Sequence, residues 1–153
     1  MRKGGTSVHR ARSLVLGSAW AVAAAAGLVF IAQSGLASGD EIKIALSGSQ
    51  EIPPATTSAT AMGVISVGAD KSVRGSVTVA GISPTAAHIH EAPAGKNGPI
   101  VIPLTQTGDN VWTVPEGAKF TDAQFESYRA GNLYYNVHSA AYKGGELRGQ
   151  IKP

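Results

Sequence analysis

The segment Val64-Ile65-Ser66-Val67-Gly68-Ala69-Asp70-Lys71-Ser72-Val73-Arg74-Gly75-Ser76-Val77-Thr78-Val79 places two apolar runs on either side of a polar, glycine-containing break. Val73, Val77 and Val79 recur at even spacing, which puts them on one face of a strand. Joined around Gly68 to Lys71, the two runs describe a β-hairpin. Upstream, Ile42, Ile44 and Leu46 keep the same rhythm; downstream, strands are predicted through Thr85 to Glu91, Pro99 to Leu104, Val111 to Val114 and Asn132 to His138. Turn formers lie between them: Pro53 and Pro54, Gly81 to Pro84, Gly95 to Pro99, Gly108 to Asn110, and Lys143 to Gly145. Breakers every roughly 10 to 15 residues predict seven to eight strands in an all-β, antiparallel Greek-key sandwich or barrel. Residues 49–60 read as an extended loop.

One segment departs from period two. Thr121 to Ala130 offers Thr121 as an N-cap, Phe125 and Tyr128 three residues apart, and Gly131 as a stop, which describes a short helix packing its aromatics over one end of the sheets.

The chain has 153 residues, enough for one such domain after a leader is set aside. Residues 1–37 read as that leader, a signal peptide: basic Arg2, Lys3, Arg10 and Arg12, an acid-free apolar run from Leu14 to Ala32, then Gly35, Leu36 and Ala37 as a small-x-small cleavage site before Ser38. The apolar run approaches the roughly 20 residues that span a bilayer, so an uncleaved anchor is the alternative. Either way residues 38–153 form a β domain that ends up outside the cytoplasm, periplasmic or secreted, and meets a membrane only through an uncleaved leader.

The whole chain carries 13 Lys and Arg against 10 Asp and Glu, but four of the cations and none of the acids lie in the leader. Nine against ten leaves the exported part near neutral, so the basic pI belongs to the leader and gives no support to nucleic-acid binding. There is no cysteine, which removes disulfides, thiol catalysis, Cys-type zinc sites, iron–sulfur clusters and blue-copper centres. Imidazole, carboxylate and neutral oxygen donors are what is left.

His88 and His90 flank Ile89 in a predicted strand, whose alternation sends both imidazoles to one face about 7 Å apart. Beyond the leader the chain has one further histidine, His138, at the end of the Asn132 to His138 run. If two strands bring the three together, they offer imidazole donors for copper (Cu2+) or zinc with a position left open. The plainer alternative is that they hydrogen-bond to neighbouring strands and loops or face solvent.

The run Ala86, Ala87, His88, Ile89, His90, Glu91, followed by Gly95, Asn97, Gly98, Pro99, Ile100, Val101 and Leu104, resembles the CHRD family, named for the chordin domain. A second block, Gly131 to Ser139 followed by Gly144 to Ile151, and the opening Leu46 to Pro54 resemble it as well. The resemblance covers residues 42–151. It implies an all-β domain exported to the periplasm or the extracellular space, of a family whose chemistry is poorly defined. The set His88, His90, His138 with Arg148 also resembles the copper half of copper/zinc superoxide dismutase, a β-sandwich in which two histidines one residue apart and a late-strand histidine bind copper and an arginine guides the anion. Here a bridging fourth histidine, a zinc-ligand cluster and a disulfide are missing, which argues against full dismutase activity.

Other polar residues take roles conditional on that site. Glu91 alternates with His90 and reads as a structural carboxylate. Glu146 and Arg148 share a face, either orienting a ligand imidazole from behind or, the preferred expectation, forming an ordinary cross-strand ion pair. Asn136 and Tyr134 share the His138 face, while Tyr135 and Val137 turn to the core. Ser139 adjoins His138 but faces away, and no nucleophile elbow, paired carboxylates or zinc-protease motif occurs. The expected function is binding of one copper or zinc ion by His88, His90 and His138, in storage, delivery or sensing, with no catalytic residue. The alternatives are a metal-free adhesion or interaction module with a protein partner, and a mononuclear copper redox enzyme.

Overall fold

The computed structural model of the chain describes residues 39–153; the predicted leader and its cleavage site lie outside them. Among the described residues nine strands run β1 (Ile42–Ser47), β2 (Thr60–Val67), β3 (Val73–Ala80), β4 (Pro84–Glu91), β5 (Ile100–Pro103), β6 (Thr105–Gly108), β7 (Val111–Thr113), β8 (Leu133–Ser139) and β9 (Leu147–Ile151), with one α-helix, α1 (Asp122–Arg129), before β8. All pairings are antiparallel, in the order β5-β4-β8-β9-β1-β2-β3-β7-β6. The two ends of that order are halves of one bent strand, separated only by Leu104, whose N–H reaches back to Ala87 O at 3.0 Å. The sheet therefore nearly closes into a barrel, which leaves few unpaired edges.

The predicted hairpin is β2 and β3, in register from Val67 opposite Val73 to Thr60 opposite Ala80. The strands β4, the bent β5 and β6, and β7 follow one another, and β8 returns through α1 to lie beside β4. That is a Greek-key connection. The strand absent from the sequence reading is β6, Thr105-Gln106-Thr107-Gly108, exposed at every position. It lacks apolar alternation because neither face touches the core, and backbone pairing with β7 holds it instead.

Inside, Ile44, Leu46, Ile65, Val77, Ile89 and Val137 pack from opposite walls. Tyr135 crosses the interior from β8 to β2, where its hydroxyl donates to Val64 O at 3.0 Å. Room for the ring comes from Gly63, where a Cβ would lie 2.9 Å from a Tyr135 ring carbon.

Helix α1 is bounded as its residues dictate. Thr121 accepts from Gln124 N–H while the Gln124 side chain accepts from Thr121 N–H, a reciprocal cap. At the other end Gly131 adopts φ 72°, and Asn132 N–H bonds Ser127 O at 2.8 Å. Phe125 and Tyr128 pack with Phe120 on the core. On its other side Ser127 Oγ donates to Glu91 Oε1, tying the helix to the end of β4.

Candidate metal centre

Strand alternation sends Ile89 fully into the core and turns His88 and His90 outward. Across β4 and β8, His88 lies opposite Asn136, His90 opposite Tyr134 and Ala86 opposite His138. His138 is thus the diagonal neighbour of His88 on the outer face, within reach of a long side chain. The structure brings all three predicted ligands together: each offers one nitrogen within 4.8 Å of the others.

Backbone carbonyls fix two of the rings. His90 Nδ1 lies 2.9 Å from Gly98 O and His138 Nδ1 lies 3.0 Å from Lys143 O. A carbonyl only accepts, so each Nδ1 carries the proton and each Nε2 presents a lone pair. His88 Nδ1 then donates to His138 Nε2, at 3.0 Å. His90 Nε2 is buried and has no hydrogen-bond partner. Burial, helped by the neighbouring imidazoles, pushes His88 down to about 4. Burial also lowers His90, against the pull of the Gly98 carbonyl and with help from charge on His138 and Arg148. Both imidazoles are therefore neutral at neutral pH, the form that binds metals.

The outer face around the cluster is roofed by loop 92–99 and by the segment after β1. Tyr134 is 3% exposed and Arg148 is 2% exposed. The Tyr134 ring stacks on His90 with centroids 5.1 Å apart, and Arg148 Cζ lies 3.6 Å from the Tyr134 centroid. In the sheet, β8 separates β4 from β9, so Tyr134 stands between the imidazole and the guanidinium.

The expected ion pair of Glu146 and Arg148 does not form, and neither residue enters any ion pair among the described residues. Each is met by neutral groups instead, from loops and from the neighbouring strands. Glu146 accepts from Thr57 Oγ at 2.7 Å and from Ser139 Oγ. Arg148 donates to Lys96 O at 2.8 Å, to Asn97 Oδ1 at 3.1 Å and to Gln150 Oε1 at 3.3 Å. Neutral groups, hydroxyl donors for Glu146 and oxygen acceptors for Arg148, lie within hydrogen-bond reach of each charge, whereas the two charges do not pair. Asn136 also turns away from the histidines, donating to Glu51 Oε1 and Leu147 O. Glu91 serves structurally, through Ser127, as its strand parity implies.

Sequence reasoning missed Glu51, Asn97 and the Gly98 and Lys143 carbonyls. Glu51 is 5% exposed, and burial raises its carboxyl despite the Asn136 hydrogen bond and the charge of Arg148. An acid in a predicted loop, two residues before a pair of prolines, carries no sign of burial, and a backbone carbonyl carries no residue signature at all.

A sequence model of the CHRD domain matches residues 42–151, from the first residue of β1 to the last of β9. No curated protein and no solved structure matches the chain. The likeness to the copper half of superoxide dismutase gains no support from the family match, which concerns the CHRD domain.

Proposed function

The chain belongs to the CHRD domain family, and from that premise we propose that it is an exported, extracellular module that binds one Cu(II) or Zn(II) ion through His88, His90 and His138. The observation that carries this reading is the buried, partnerless Nε2 of His90, on a ring whose centroid lies 5.5 Å from that of His88 and 6.3 Å from that of His138. An orphaned buried acceptor costs about 1–3 kcal/mol, and a metal in that position removes the cost. His90 and His138 each donate the other ring nitrogen to a carbonyl, the arrangement usual behind metal-bound imidazole.

Four-coordinate ligand distances of about 2.0–2.1 Å require nitrogens roughly 3.3 Å apart. The widest separation of 4.8 Å must then close by roughly 1.5 Å, a small side-chain adjustment. A cluster of three imidazoles with no sulfur donor among its members favours Cu(II) over Cu(I). Storage, delivery or sensing fits a site with no catalytic group beside it. Export is supported by the family, whose domains are typically extracellular; among the described residues no helix is long and apolar enough to cross a membrane.

One observation favours a second reading, a metal-free interaction module: the bond from His88 to His138 satisfies two of the three rings without an ion. Titration of the protein with Cu(II) and Zn(II), alongside His90→Ala, separates the two. The metal reading predicts one ion per chain and a loss in the variant at least as large as the ~10–100-fold that removal of a supporting hydrogen-bond partner causes. Equally weak binding by both proteins would sink it. Superoxide turnover by the copper-loaded protein is the outcome that would favour a mononuclear redox enzyme.

A further inference from the structure

We propose that Arg148 is a positioning residue that holds His90 in its metal-competent tautomer by pinning loop 92–99. The tautomer depends on one contact, His90 Nδ1 to Gly98 O, so it depends on where the loop keeps that carbonyl. The ends of the loop are tied without Arg148: Gln150 Nε2 donates to Ala92 O at 3.0 Å, Gly98 N–H to the Tyr134 hydroxyl at 3.2 Å, and Glu91 N–H to Pro99 O at 3.0 Å. Its crest is held by the guanidinium, which reaches Lys96 O, Asn97 Oδ1 and, at 3.5 Å, Pro93 O. Two further ties lie there, the turn bond from Lys96 N–H to Pro93 O at 3.2 Å and Asn97 Nδ2 to Ile52 O at 2.8 Å, the latter from an exposed side chain.

The same guanidinium lies on Tyr134, whose ring stacks on His90. Arg148 therefore acts on the imidazole along two routes, through the carbonyl that orders its proton and through the ring that fixes its plane. A buried cation that enters no ion pair among the described residues, and feels the Glu51 carboxyl only through space, is a costly choice for stability alone. Its planar fork suits several acceptors spread along one loop, which a lysine point charge does not reproduce. A fixed Nδ1–H leaves the lone pair on Nε2, so no change of tautomer is needed when an ion arrives.

The inference rests on the metal-binding reading for one of its two consequences only. In the metal-free full chain, nitrogen NMR of the histidines reports the tautomer directly. Wild type is expected to show His90 as a single Nδ1–H form, and Arg148→Met a mixture with Nε2–H. Affinity for Cu(II) or Zn(II) is expected to fall on the order of tenfold in that variant, at the low end of supporting-partner effects. Arg129→Met, on the exposed face of α1, is expected to change neither.

A folded Arg148→Met with an unchanged His90 tautomer overturns the proposal, whatever the metal does. If that variant does not fold, Arg148→Lys must show the tautomer shift, and its absence there overturns the proposal equally. Should wild type bind no metal while the tautomer still responds to Arg148, the reading of the site as a metal centre fails and the positioning role stands.

Discussion

His88 is packed where its charged form is disfavoured, and that environment has a consequence for stability that can be measured. Its ordinary value is near 6.5, and burial with neighbouring imidazoles brings it to about 4 in the folded chain. The unfolded chain therefore takes up a proton first as pH falls. Its contribution is fully present above pH about 6.5, shrinks as pH falls, and is lost through about 4. His90 is shifted in the same direction and adds to the effect. Melting curves in the presence of a chelator, taken from pH 7.5 to 4, are expected to drop across this window, and less steeply in His88→Gln. An equal slope in the two proteins would contradict the burial argument. At this scale the shared face of His88 and His90 was legible, because alternation about Ile89 follows from strand geometry alone. The carbonyls of Gly98 and Lys143 were not, because every residue has one.

Among the elements, α1 was the most legible, since both of its boundaries are set by side chains near in sequence. Thr121 caps one end and Gly131 takes the left-handed turn at the other. Thr121→Ala is expected to cost about 1 kcal/mol in denaturant unfolding, with metal affinity unchanged because the helix meets β4 through Ser127 and Glu91 instead. A loss below about 0.3 kcal/mol would mean that the reciprocal cap adds nothing beyond what water supplies. The strand β8 was less legible. Leu133 to Val137 are all buried, although parity turns only Tyr135 and Val137 to the core and puts Tyr134 and Asn136 on the face of His138. Loops from β1 and β4 cover that outer face, and their return is a tertiary event. The same cover explains the failed ion pair: Glu146 meets Thr57 and Ser139, and Arg148 meets residues 96 and 97, before either meets the other.

The whole barrel depends on a ring reaching across it. Tyr135 starts in β8 and ends against β2 three strands away, and burial raises its phenol far above the ordinary value. Gly63→Ala would place a methyl group 2.9 Å from that ring and 3.4 Å from Leu46 Cδ1. Overpacking of this kind costs about 1–3 kcal/mol, so the midpoint of urea unfolding is expected to fall with its slope unchanged. A variant as stable as wild type would show that the interior yields at that point. Composition and period two were sufficient for an all-β domain with one capped helix, since both are local consequences of side-chain alternation and turn chemistry. They were also sufficient to put His88 and His90 on one face. Tertiary structure alone decided that His138 arrives diagonally beside them, that the strand bends at Leu104 to join the ends of the sheet, and that Arg148 is buried under a loop instead of paired with Glu146. Those outcomes depend on which distant segments lie against one another, and register between strands fifty residues apart is set by the packing of the whole core.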